Sequence, residues 1–157
     1  MKTNLWIVDG LGFISLLLTA LVVGAMFGVW LSSNPAGMNF SDYLPMQKRN
    51  IRAFNRTLPL LGVLAALCTV GAAVLSIGQG TQFPVLAGAA ICLIAAGVIT
   101  RFCNQPINAI VMSWSLEPPP NGWTQVRDTW WRWHIGRLIF GIIGLSLLIL
   151  AALQLGR

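Results

Sequence analysis

Residues Trp123 to Leu155 read WTQVRDTWWRWHIGRLIFGIIGLSLLILAALQL. From Leu138 onward this stretch is apolar and carries no charge, whereas its first half is crowded with aromatic and cationic side chains. The uncharged run approaches the roughly 20 residues that a helix needs to cross a hydrocarbon core about 30 Å thick. Three other stretches have the same character, which places spans at about 11–31, 58–78, 83–103 and 135–155. A membrane barrel would instead show short segments of alternating polarity, and none is visible. The sequence therefore predicts an all-α protein: an integral membrane four-helix bundle, with residues 1–157 forming one domain. Composition agrees, since 56% of the residues are hydrophobic and only 9% are charged, against about 25% charged in an ordinary soluble domain.

The net charge of +6 would suggest nucleic acid in a soluble protein, but here it sorts by loop. Lys48, Arg49, Arg52 and Arg56 lie between the first two spans, and Arg127 and Arg132 between the last two, with Arg101 and Arg137 at the facing ends of those spans. The other side receives only Lys2 and Arg157. Cationic loops stay in the cytoplasm, so both long loops are expected inside and both termini outside. This fits a multi-pass protein of a bacterial inner membrane. The bilayer is then the expected partner and nucleic acid is not, while a homo-oligomer is compatible with the sequence. The first apolar run exceeds the 7–15 residues of a signal-peptide core, so it reads as a retained span.

The connections differ in kind. GQGTQFP between spans two and three predicts a tight helical hairpin. In the first loop, MQKRNIRAFNRTL (Met46–Leu58) places Lys48, Arg52 and Arg56 at i, i+4, i+8, with Ile51, Phe54 and Leu58 on a second stripe. This predicts a basic amphipathic helix lying at the interface. The third loop is extended. Gly24 and Gly28, at GxxxG spacing, suggest close helix packing. Cys68, Cys92 and Cys103 form no C-x-x-C pair, which argues against a zinc site or a disulfide framework.

Two polar stripes sit on the cytoplasmic side. After the break EPPPNG, Asn121 can cap a new helix. On that helix Trp123, Arg127, Trp130, His134, Arg137 and Gly141 share one face. Upstream, if the third helix runs past the membrane edge, Arg101, Asn104, Asn108, Met112 and Ser115 share another face, with a kink at Pro106. Ionisable groups at membrane depth are a functional-site hypothesis by default. No second His, no carboxylate beyond Glu117 and Asp128, and no Gly-rich nucleotide motif accompanies them. No resident cofactor is expected, and a single haem is the alternative. What remains suits proton abstraction: His134 as base, with Arg137, Arg127, Asn108 and Asn104 holding the developing oxyanion. Trp114, Trp123, Trp130, Arg101 and Met112 are candidates for the substrate walls. An electron-rich carbanion so formed can react with O₂ as co-substrate.

NQPIN from Asn104, then Trp114, then W-x-x-x-R-x-x-W-x-x-W-H-x-x-R from Trp123 to Arg137 resembles the anthrone oxygenase-like family, small membrane proteins long catalogued as a domain of unknown function. The resemblance covers nearly the whole chain. It implies O₂-dependent, cofactor-free oxidation of a lipophilic hydroxyaromatic ketone, anthrone to anthraquinone, with His134, Arg137, Arg127, Asn104 and Asn108 in the site. A non-catalytic membrane subunit, or a protein that binds a quinone or haem, is the competing reading.

Overall fold

The computed structural model describes residues 5–155, so the charges at Lys2 and Arg157 lie outside the described residues. The chain forms α1 (Leu5–Ser32), α2 (Phe40–Phe54), α3 (Thr57–Leu75), α4 (Gln82–Ile99), a π-helical turn (Thr100–Asn104), α5 (Gln105–Ser113) and α6 (Trp123–Leu155), with no strand among the described residues. Four segments are long and apolar enough to span a bilayer: Trp6–Ser32, Thr57–Leu75, Gln82–Ser113 and Trp123–Gln154. They pack as a ring in which α1 contacts α3 and α6, and α4 contacts the same two helices. At 1.5 Å per residue the two 32-residue segments reach about 48 Å, well beyond a hydrocarbon core of about 30 Å. Their surplus length, α5 and the head of α6, projects from the same end of the bundle, and α2 packs there.

Small residues bring the helices together. The core at the far end contains Ala72, Ala73, Ala89 and Ala151 around Val8, Leu86 and Leu148. A Cβ on Gly144 would stand 3.0 Å from Leu93, and one on Gly141 would stand 3.0 Å from both Met26 and Val23. These are the close approaches that small residues permit between membrane helices. Gly24 and Gly28, expected from their spacing to do this, have no neighbour within 4 Å; they face outward on α1, because the packed face of that helix carries Thr19, Val23 and Met26. The hydroxyls of Ser15 and Thr69 pair across α1 and α3. Cys68, Cys92 and Cys103 are unbridged. The α3–α4 hairpin turns through Gly78 (φ 82°) and Gly80 (φ 50°), a conformation that favours glycine.

The third span runs on, as one reading of the sequence allowed, but by a different local device. Pro106 has no N–H to return to the preceding turn. The chain widens just ahead of it, and the Gln105 N–H bonds the Thr100 carbonyl, five residues back. The extra residue shifts the helical phase. Asn104, Asn108 and Val111 therefore share the buried face. Arg101 is exposed, Met112 turns toward α2, and Ser115 lies beyond the helix end. The single stripe expected for Arg101, Asn104, Asn108, Met112 and Ser115 is thus split.

The first-loop helix begins earlier than its basic stripe suggested. Asn39 caps it, its side chain accepting from the Asp42 N–H at 2.9 Å. Its buried face is Phe40, Tyr43, Leu44, Gln47 and Ile51, which packs on Val111, Ile107 and Trp123. The apolar stripe thus meets protein, and Lys48 donates to the Trp114 carbonyl at 2.5 Å. The helix is a cap over the end of the bundle.

Single cysteines at Gln79, in the α3–α4 hairpin, and at Asn121, ahead of α6, should label from opposite sides of a sealed membrane, with Asn121 on the cytoplasmic side. Labelling of both from one side would overturn the arrangement. Gly144→Val should lower the thermal midpoint in detergent through overpacking against Leu93, at a cost of about 1–3 kcal/mol.

Candidate functional site

Trp130, His134 and Arg137 follow one another at i, i+4 and i+7 on α6, so their side chains meet. The His134 ring lies flat against Trp130 (5.2 Å between centroids, 6° between planes) and close to parallel with Trp131 (5.3 Å, 19°). It is 0% exposed. Nε2 lies 3.2 Å from the Met26 carbonyl oxygen on α1, which can only accept. Nδ1 lies 3.0 Å from Arg137 Nη2, which can only donate. The two partners fix the tautomer: Nε2 carries the proton and Nδ1 accepts from the guanidinium. Both ring nitrogens are engaged, so the resting imidazole offers no free lone pair.

Arg137 is therefore oriented by a neutral ring. Its Nε is buried without a partner. Among the described residues the one ion pair is Arg127 with Asp128, so no carboxylate balances Arg137. Desolvating a guanidinium without a counter-charge is expensive. Neutral amides surround it instead. The Trp130 indole N–H donates to Asn108 Oδ1 at 2.8 Å. Asn108 Nδ2 donates in turn to Asn55 Oδ1 at 2.8 Å. Asn104, 0% exposed, donates to the Trp130 carbonyl at 3.2 Å, while its Oδ1 has no partner.

Two cavities meet at Arg137. The smaller, about 40 Å³, brings Asn50, Asn55, Thr100, Asn108 and Trp130 onto one wall set with Arg137, among apolar neighbours such as Met26, Ile51 and Leu58. The larger, about 430 Å³, runs deeper between α1, α3, α4 and α6 and falls in the size range of small-molecule sites. Met26, Leu58, Pro59, Thr100 and Arg137 line both. An apolar chamber thus carries the Arg137 guanidinium where it meets the smaller cavity, with a second cation, Arg101, also on its wall. That arrangement can hold a lipophilic molecule by its body and an oxyanion or carbonyl oxygen by its head.

The expected residues divide into two groups. Asn108, Trp130 and Arg137 face the small cavity, with His134 and Asn104 buried behind them. Arg101 lies at the mouth of the large cavity, its guanidinium 5.8 Å from the Phe102 ring. Arg127, expected in the oxyanion set, is held elsewhere: Nε pairs with Asp128 at 2.8 Å, Nη1 donates to the Met38 carbonyl at 3.2 Å, and the guanidinium lies 5.0 Å from the Trp123 ring centre. Trp123 stacks on Tyr43 and meets Phe40 edge-on. Trp114 also packs on Phe40, and Met112 joins the same cluster. These four residues fasten α2 and the first loop to the bundle end. Burial there pushes the Tyr43 phenol above its ordinary range, so it stays un-ionised. Asn50, Asn55 and Met26 were not anticipated. Two amides among the cations of RNIRAFNR were the available signal for the first pair; a backbone carbonyl leaves no signal for the third. No three His, Cys, Asp or Glu side chains gather among the described residues.

The family described as anthrone oxygenase matches residues 49–147, more than half of the chain. The chain belongs to the anthrone oxygenase family. The match takes in Asn50, Asn55, Asn104, Asn108, Trp130, His134 and Arg137, whereas α1 lies outside it. No curated protein and no solved structure matches the chain.

Trp130→Phe keeps the stack on His134 but removes the indole donor and leaves Asn108 Oδ1 unpaired. An orphaned buried acceptor costs about 1–3 kcal/mol, so the thermal midpoint in detergent should fall. A midpoint equal to wild type would show that the Trp130–Asn108 bond contributes nothing to stability.

Proposed function

We propose that this anthrone oxygenase family member oxidises a lipophilic hydroxyaromatic ketone with O₂ and without a resident cofactor, at the cytoplasmic end of a bacterial inner-membrane bundle whose termini lie outside. The observation that carries the reading is a guanidinium without a counter-ion at the polar end of a large apolar cavity. A substrate of this class ionises at the methylene carbon opposite its ketone and delocalises the charge onto oxygen. Arg137 stabilises that oxyanion, and it does so in a low-dielectric site where preorganised donors are worth most. The carbanion adds O₂ to give a peroxide anion, which takes up the proton and loses water. The sum is R₂CH₂ + O₂ → R₂C=O + H₂O, with one oxygen atom in the new carbonyl and the other in water.

His134 serves this chemistry by position. Its Nδ1 holds Arg137, and its Nε2–H anchors the pair to α1. It could act as the base only if Arg137 first moved away to the substrate and released Nδ1. The proton released by the substrate passes to water in the pocket of Asn50, Asn55 and Asn108 and returns to the peroxide anion, so none is lost overall.

The test is anthrone oxidation by purified protein in nanodiscs, measured above the spontaneous rate. Arg137→Gln should lower the rate by about 10²–10³-fold, the usual cost of losing an oxyanion donor. Arg137→Lys should also be impaired, because a point charge does not reproduce a planar fork. His134→Gln separates the two roles of the ring. An amide oxygen can still accept from Arg137, so a loss below about tenfold supports positioning, whereas general-base catalysis predicts a loss of about 10²–10⁴-fold. Saturable quinone binding with no oxidation above background would favour a carrier over an enzyme.

A further inference from the structure

The larger cavity has a polar feature at the end away from Arg137. Thr19 lines it, is 1% exposed, and its Oγ1 has no hydrogen-bond partner. That is unusual within this molecule. Other helical hydroxyls return to the carbonyl four residues back: Thr69 to Ala65 at 2.7 Å, Ser76 to Ala72 at 2.8 Å, Thr100 to Ala96 at 2.8 Å and Ser146 to Ile142 at 2.9 Å. Such back-bonding is the ordinary way for Ser and Thr to satisfy themselves within a helix. Thr19 forgoes it within a membrane-spanning helix. Leaving a buried hydroxyl unmatched is unfavourable, and an occupant of the cavity that Thr19 lines can supply the missing partner.

The spacing suits one kind of occupant. Met26 holds His134, which holds Arg137. Seven residues of α1 separate Met26 from Thr19, an axial rise of about 10 Å. The walls between are apolar: Val22 and Val23 of α1, Leu67 and Val70 of α3, Leu93 of α4. Gly141 adds no side chain there. Leu67 is 62% exposed and Val98 49% exposed, yet both line the cavity. The chamber therefore reaches the lipid-facing surface between α3 and α4, and an apolar ligand reaches it from the bilayer without crossing water.

We infer that the cavity binds a flat lipophilic ligand at both ends, one oxygen resting on Arg137 and a second, on the far edge of the ring system, hydrogen-bonded to the Thr19 hydroxyl. This rests on the role proposed above for Arg137 and adds the residue that selects among substrates. Thr19 sets which ring substitution is preferred, and Arg137 sets that the head is an oxyanion or ketone. Thr19 Oγ1 is covered as it stands, and because threonine χ1 has two accessible wells in a helix, a turn from one well to the other, about 120°, brings the hydroxyl round to the ligand.

The experiment uses two quinones, which bind without turnover: 1,8-dihydroxyanthraquinone, and the same molecule with one further hydroxyl on the outer edge of a ring. Tryptophan quenching in nanodiscs gives both affinities. Wild type should prefer the trihydroxy compound by roughly 3- to 10-fold, the yield of one neutral hydrogen bond. Thr19→Val should abolish the preference while keeping the affinity for the dihydroxy compound, and Thr19→Ser should restore it. Thr19→Val is isosteric and removes an unpartnered group, so its thermal midpoint should not fall. An unchanged preference in Thr19→Val overturns the inference. If Arg137→Gln weakens both quinones in that case, the Arg137 reading stands alone. No preference in wild type also overturns the inference, and no saturable binding of either quinone overturns both.

Discussion

A guanidinium stands partly buried on α6 with no carboxylate to balance it, and much of the surrounding structure follows from accommodating it. Arg137 is held by a neutral imidazole, which must be the Nε2–H tautomer because its other partner is the Met26 carbonyl. That bond requires α1 and α6 to lie close, and Gly141 provides the room, since any Cβ there would press on Met26 and Val23. The two tryptophan faces keep water from the ring. A carboxylate at this place would quench Arg137; amides do not, because their dipoles reorient and their net charge is zero.

The linked polar groups, two amides and an indole, come from three separate parts of the chain, and their convergence is the second organising fact. Asn108 reaches the site from α5, Asn55 from the junction of α2 and α3, and Trp130 from α6. Each link is a hydrogen bond between groups that would otherwise be stranded, so every element penalises misplacement of the others. The α2 cap is fastened on the outside by Lys48 and Arg127, both donating to backbone carbonyls. These cations hold structure together, while Arg137, which faces the chamber, keeps its Nε without a partner.

The four spans were legible because bilayer thickness sets a length, and length is visible in a sequence. The stripe Trp130, His134, Arg137 was equally legible, being a matter of helical period alone. Arg101 was misassigned to the Asn104 face because period arithmetic assumes an unbroken α-helix, and the turn before Pro106 adds one residue to the count. Arg127 and Trp123 do share the helical stripe, but they stand on its projecting part, where α2 claims them. The α2 contribution stayed hidden because a basic amphipathic helix reads the same whether its apolar face meets lipid or protein. Thr19 and Met26 could not be read at all, since one is an ordinary helical threonine and the other contributes a carbonyl.

The widened turn at Thr100–Asn104 has a consequence for how this span can change over time. A continuous α-helix locks the orientation of its two halves, so repacking one half drags the other around. Here the inserted residue acts as a coupling between two shafts. The lipid-embedded half keeps the phase that α3 and α6 require, and the projecting half keeps the phase that points Asn104 and Asn108 inward. Substitutions that adapt the span to a thicker or differently composed membrane can accumulate on α4 without turning the amides out of the site. Loss of a single residue within the turn would rotate the whole polar half by about 100°, so in this segment length is under tighter constraint than composition.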